Sequence, residues 1–245
     1  MSNLPPNDPR QYDALVEHWW RPGGAFELLH WIAEARARLI PPASRPDATL
    51  VDIGCGGGLL APYLRGKGYR HVGVDLVGSA LRQAGAHGVH PMYGDAAALP
   101  VTDAAADVVS AGELLEHVTD LSAAVGEACR VLRPGGLLVL DTLNATMASR
   151  LIAVELGERL PMVPRGIHDP ALFIRPRRLI AECARHGVQL AVRGIRPTGS
   201  ALGQWLLRAA LGRSATDRAL WRVPRRIIPT WSTAVLYQGR GIKAS

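Results

Sequence analysis

Lysine is nearly missing from this chain. Of its 28 basic residues only Lys67 and Lys243 are lysine, and the rest are arginine. Beside abundant Ala, Gly and Pro, that imbalance reads as the mark of a GC-rich genome rather than of a task. Cysteine is scarce too. Cys55, Cys129 and Cys183 are scattered and suggest neither a metal cluster nor a disulfide framework, which fits a reducing cytoplasm. No run of about 18 apolar residues occurs, so no spanning helix is expected. Met1 to Arg10 is polar and rich in Pro and Asn, without the apolar centre of a secretory leader. No internal repeat is visible. What remains is 245 residues with 48% apolar content, which supplies a core and argues against general disorder. One α/β domain with an elaboration is the expectation.

The densest signal is Val51-Asp52-Ile53-Gly54-Cys55-Gly56-Gly57-Gly58, followed by Val72-Gly73-Val74-Asp75. A short apolar run enters a glycine loop, and a second apolar run ends in an acid. Glycines let backbone N–H groups approach a ligand that no side chain would accommodate. An acid at the tip of the second strand suits two ribose hydroxyls. A dinucleotide site wants Gly-x-Gly-x-x-Gly, but position 59, where its third glycine belongs, is Leu. Asp52 also puts negative charge where phosphates would lie. A cation such as the sulfonium of S-adenosylmethionine suits Asp52, Gly54 and Gly56 better. The Asp-x-Gly-x-Gly pattern resembles class I methyltransferases; a nicotinamide enzyme is the weaker alternative. Cys55 reads as a small packing residue.

Strand and helix signals alternate from residue 49: strands Thr49–Ile53, His71–Asp75, Pro91–Tyr93, Asp107–Ser110 and Leu137–Leu143, with helices Leu59–Arg65, Ser79–Ala86 and Leu121–Leu132 between them. That alternation argues for parallel strands joined by crossovers. Val188–Ile195 and Ser232–Gln238 read as late strands closing the sheet as an antiparallel pair. Helices are expected over most of Tyr12 to Ile40, with a turn at Arg21-Pro22-Gly23-Gly24, and over Ala145–Leu160, Pro176–His186 and Gln204–Arg226. The fold expected is a Rossmann-like α/β domain: a mostly parallel, seven-stranded sheet with helices on both faces and an antiparallel last strand. Its divisions are an N-terminal helical cap (1–48), a cofactor-binding core (49–143) and a substrate-side region (144–245).

Further segments carry a narrower resemblance. They are Tyr12-Asp13, Trp19-Trp20-Arg21-Pro22-Gly23-Gly24-Ala25-Phe26, Leu29-His30, Glu113-Leu114-Leu115-Glu116-His117-Val118, Val131-Leu132-Arg133-Pro134-Gly135-Gly136 and Thr142-Leu143-Asn144. Most specific are Met162-Val163-Pro164-Arg165-Gly166-Ile167-His168-Asp169-Pro170 and Phe173-Ile174-Arg175-Pro176. Over roughly residues 12 to 196 the chain resembles the O-methyltransferases of ubiquinone biosynthesis; from Thr198 onward the match is poor. The resemblance implies methyl transfer from S-adenosylmethionine to a phenolic hydroxyl of a polyprenylated catechol. It implies cofactor contacts from Gly54 and Asp75, from Arg36 to the cofactor carboxylate, from Asp95 to the adenine amino group, and from the Gly112 backbone.

Two acids and an imidazole, Glu113, Glu116 and His117, stand at i, i+3 and i+4, a spacing that puts them on one side of a helical turn. The resemblance implies a metal-binding role for this triplet. Mg²⁺ prefers oxygen ligands, and the histidine leaves Zn²⁺ or Mn²⁺ open. The alternative is that Glu116 supports the start of a helix while His117 packs locally. His168 and His117 are the candidate catalytic imidazoles, since a group titrating near neutrality suits a phenol proton. Alternatively His168 and Asp169 cap a following helix that begins at Pro170.

A polyprenyl acceptor would require approach to a bilayer. Met147–Pro164 and Trp205–Arg226 both mix apolar and basic residues, the second carrying Arg208, Arg213, Arg218, Arg222, Arg225 and Arg226 against Asp217. Each suits an anionic membrane surface, or else an ordinary solvated helix. A cytoplasmic protein, peripheral at the inner face of the membrane, is expected. No base-handling motif supports nucleic acid as partner. Competing functions are C- or O-methylation of another quinone or aromatic metabolite, and a non-catalytic cofactor-binding module.

Overall fold

A computed structural model describes residues 4–160, 163, 165–211 and 226–245. Eight strands form one sheet: β1 (Thr49–Ile53), β2 (Arg70–Asp75), β3 (His90–Tyr93), β4 (Ala106–Gly112), β5 (Leu132–Leu143), β6 (Val188–Pro197), β7 (Ile227–Thr230) and β8 (Leu236–Lys243). Their order is β3-β2-β1-β4-β5-β8-β6-β7. The pairings from β3 through β5 are all parallel, whereas β8 lies antiparallel to β5 and β6, and β7 antiparallel to β6. The chain order therefore reverses beside β1, and the crevice at such a point is where open α/β sheets bind ligands.

Buried parallel strands need apolar residues on both faces, and β4 has them nearly throughout. Along β5 successive side chains face opposite layers. Leu138 and Leu140 join a cluster with Val125, Leu179 and Ile174, while Leu137 and Val139 pack with Ala37, Ile40 and Leu60. Helices accordingly cover both faces: α1 (Glu27–Ala37), α2 (Ala61–Leu64) and α3 (Gly78–Ala86) precede α4 (Leu121–Val131). After β5 come α5 (Met147–Ser149), α6 (Pro176–Arg185) and α7 (Gly199–Leu211). Asp120 caps α4 by accepting from the Ala123 N–H at 3.0 Å.

The structure departs from the expected elements in four places. The sheet has eight strands rather than seven, because Ile227–Thr230 adds an edge strand. Pro229 hides that strand from a sequence reading, and an edge is where a strand tolerates proline. The expected helix over Ala145–Leu160 is a short α-turn followed by a π-helical run Arg150–Leu156 and a 3₁₀ turn Gly157–Arg159. No residue of the π-helical run is buried, so no core packing imposes a 3.6-residue period. Before α1, Pro9–His18 is 3₁₀ rather than α. The expected helix over Gln204–Arg226 is seen only as α7, which starts earlier; 212–225 lie outside the described residues.

Candidate functional site

The glycine loop after β1 and the acid at the end of β2 meet directly. Asp75 accepts the Gly56 N–H at 2.8 Å through one oxygen and the Val77 N–H at 2.8 Å through the other. Its carboxylate thus ties two loops together. Burial raises the Asp75 pKa, opposed by these backbone bonds. Gly56 has φ +51°, and a Cβ there would stand 2.5 Å from the Trp19 ring. No other residue satisfies both conditions.

These loops open on a cavity of about 390 Å³. Arg36, Asp52, Gly54, Gly56, Asp75, Asp95 and Gly112, all expected at a cofactor site, line it together. So do Tyr12 and Trp19 of the N-terminal segment, which stack on one another and on Phe26. Asp52, Asp75, Asp95, Glu113 and Asp120 supply five carboxylates to the lining, against the single guanidinium of Arg36. Such a field favours a cation and opposes a polyphosphate.

Arg36 is buried, and its Nη1 donates to Asp141 at 2.6 Å. Gly112 makes room for it: a Cβ there would coincide with the guanidinium. Burial would push the Asp52 carboxyl up, but the His71 hydrogen bond at 3.3 Å and the charges of His71 and Arg36 outweigh it and hold Asp52 low. Glu113 has only the Arg36 charge to relieve it. Burial and the neighbouring Glu116 and Asp141 carboxylates push it well above the ordinary range.

The helical-turn arrangement expected for Glu113, Glu116 and His117 is not found. Glu113 has φ +50° and precedes the short 3₁₀ turn Leu115–His117. It is therefore not one helical face with the other two. One Glu116 oxygen accepts the Thr142 hydroxyl at 2.7 Å; its other oxygen, like Oε1 of Glu113, is buried without a partner. Burial raises Glu116 to about 7. Among the described residues no three His, Cys, Asp or Glu side chains are gathered as a metal ligand set. The triplet as arranged does not fit a three-ligand divalent site.

His117 lines the cavity and His168 stacks on it, ring centroids 5.3 Å apart. The Asn7 amide fixes the state of His117. Its Nδ2 donates to the His117 carbonyl at 2.9 Å, so its Oδ1 must accept from His117 Nδ1–H at 2.5 Å. Burial, with His168 nearby, lowers the His117 pKa to about 3, leaving the ring neutral and weakly basic. Of His168 and Asp169, read together as a possible cap, only Asp169 acts as one. Asp169 is the cap, accepting the Ala171 N–H at 2.9 Å before the turn Pro170–Leu172. His168 instead turns back, its Nδ1 3.0 Å from the Glu158 carboxylate. The sequence reading missed Glu158, which lies in a segment read as a plain amphipathic helix.

The basic patch is partly internal. Arg208 donates to Glu27 at 2.7 Å, and Arg226 stands 5.3 Å over the Trp31 ring. Arg213, Arg218, Arg222 and Arg225 lie outside the described residues.

A methyltransferase-domain family model matches residues 51–140. The chain is 39% identical over 189 residues to a ubiquinone biosynthesis O-methyltransferase of Paraburkholderia phytofirmans, covering 73% of this chain and 81% of that protein. It is 36% identical over 205 residues to the protein so named in Burkholderia thailandensis, covering 80% and 88%. Among solved structures, an S-adenosylmethionine-dependent methyltransferase of Thermotoga maritima superposes with a TM-score of 0.61 at 18% identity, over 95% of this chain and 96% of that one. That likeness establishes the Rossmann-like fold.

The buried pair beneath the cavity sets one expectation. Arg36→Met leaves Asp141 without its cation and should cost about 3–5 kcal/mol, the usual penalty for breaking a buried pair. Urea unfolding at neutral pH reads this directly.

Proposed function

The chain belongs to the ubiquinone biosynthesis O-methyltransferase family and is an S-adenosylmethionine-dependent O-methyltransferase; from that premise we propose that its acceptor is the phenolic hydroxyl of a catechol-type, polyprenylated quinone precursor. The observation that carries the reading is a cavity lined by five carboxylates with a carboxylate-paired imidazole close by. S-adenosylmethionine, when bound, supplies an electrophilic methyl group on a cationic sulfur.

The residues present fit that cofactor. Asp75 would take the ribose hydroxyls, with Gly54 and Gly56 beside it in the same cavity lining. Arg36 provides the one cation for the cofactor carboxylate. Asp52 supplies negative charge for its cationic groups, Asp95 serves the adenine amino group, and Gly112 contributes backbone. His168 is the proposed base, because its neighbour His117 binds protons too weakly to compete at neutral pH. A catechol hydroxyl resembles tyrosine, with a pKa of about 10, so a base beside it raises the reactive fraction. A Mg²⁺, Zn²⁺ or Mn²⁺ on Glu113, Glu116 and His117 finds no support in the arrangement of these donors.

Among the described residues no helix is long and apolar enough to cross a membrane. Met147, Leu151, Ile152 and Leu156 nevertheless expose their apolar side chains, as do Leu206 and Leu207 on α7. These support reversible binding to an anionic bilayer that carries the acceptor. Vesicles containing phosphatidylglycerol should float with the wild-type protein and not with Leu151→Glu/Ile152→Glu; flotation that is absent, or unaffected by the substitutions, rejects the surface.

Asp75→Asn should weaken S-adenosylmethionine binding about 10- to 100-fold by calorimetry, the loss expected for hydrogen bonds to a charged acceptor. With labelled cofactor and a panel of prenylated catechols, the wild-type protein should form an oxygen–methyl bond identifiable by NMR. A carbon–methyl product from a naphthoquinol would instead indicate the other quinone chemistry, and binding without turnover of any acceptor would indicate a non-catalytic module.

A further inference from the structure

We propose that Glu158 is the positioning residue of the methyl-transfer site, holding His168 in the one tautomer whose Nε2 can take the acceptor's proton. The inference rests on the phenol reading above.

Glu158 is buried, yet both oxygens are engaged. One accepts the Gly166 N–H at 2.6 Å; the other accepts the His168 N–H at 3.2 Å and faces His168 Nδ1 at 3.0 Å. An ionised carboxylate offers only acceptors, so the proton of a neutral His168 must sit on Nδ1. The Nε2 lone pair is then the ring's only basic site. The imidazole is also pinned: its backbone is bonded to the carboxylate, one face stacks on His117, and Phe173 meets it edge-on at 6.2 Å. The side chain keeps 19% exposure, so the ring is not sealed from solvent. In the transfer the phenolic proton passes to Nε2, the oxygen gains the methyl, and sulfur keeps the electron pair of the bond that breaks. The imidazolium formed on His168 is stabilised by the Glu158 charge.

The bonds to Gly166 and His168 N–H also shape the loop, so the experiment must separate chemistry from scaffolding. Glu158→Gln is compared with wild type on two acceptors: catechol, whose hydroxyl needs a base, and 4-nitrocatechol, largely ionised at pH 8. Glu158→Gln should lower kcat on catechol about 100-fold, the lower end of general-base contributions. On 4-nitrocatechol it should lower kcat by less than about threefold, since that acceptor supplies its own phenolate. KM for S-adenosylmethionine should stay within about twofold on both, because Glu158 does not line the cofactor cavity. In a His168→Ala background the Glu158 substitution should cost almost nothing more. Equal losses on the two acceptors, or full additivity with His168→Ala, overturn the inference while leaving the acceptor class intact. A wild-type protein that binds the cofactor but methylates neither these nor any prenylated catechol overturns both.

Discussion

One guanidinium holds the carboxyl edge of this sheet together. Arg36 comes from α1, outside the sheet, yet its charge is felt by Asp141 on β5, Asp52 on β1 and Glu113 after β4. Buried carboxylates without a cation would take up protons or push the strands apart. His71 and, after it, Arg36 hold Asp52 low, while Arg36, inserted over Gly112, fixes α1 against β5. The cap's position is thus decided as much by electrostatics as by the packing of Ala37 and Ile40. The remaining excess of negative charge is left facing the cavity.

That excess gives the site its preference. Five carboxylates around one guanidinium make a poor home for phosphates and a good one for a ligand carrying both a positive sulfur and an ammonium. On the proposed reading the charge disappears from the sulfur as the methyl leaves, so the same lining discriminates between the fresh and the spent cofactor. Beside the cavity, two neighbouring imidazoles are set apart by their surroundings. Asn7 and burial make His117 a neutral donor, whereas a carboxylate stands behind His168. The two rings thus differ in what holds them: an amide oxygen for one and a carboxylate for the other.

How far the sequence could be read depended on whether a feature was local. β1 runs over Thr49–Ile53, as its apolar run implied, and the glycine loop, Asp75 and Asp95 line one cavity because strand–turn–helix units leave their signature within a few residues. Arg36 was legible only through family resemblance; its helix looked like a surface helix, and its burial depends on an acid more than a hundred residues away. Glu113 misled because spacing along a chain assumes helical backbone, and a left-handed residue breaks that assumption. Glu158 was silent for a related reason. The segment around it mixes π and 3₁₀ turns that no hydrophobic period announces, and its partners lie beyond an irregular stretch. The edge strand β7 was hidden by its proline.

The contact between Trp19 and the glycine loop reaches into how this sequence can drift. The indole occupies the space in which a Cβ at either 56 or 57 would stand, at 2.5 and 2.6 Å. Positions 19, 56 and 57 are therefore sterically coupled across the chain, but asymmetrically. A lineage that shrank the tryptophan would unlock 57 for alanine or serine, whereas 56 would stay glycine, barred by its own backbone twist whatever its neighbour became.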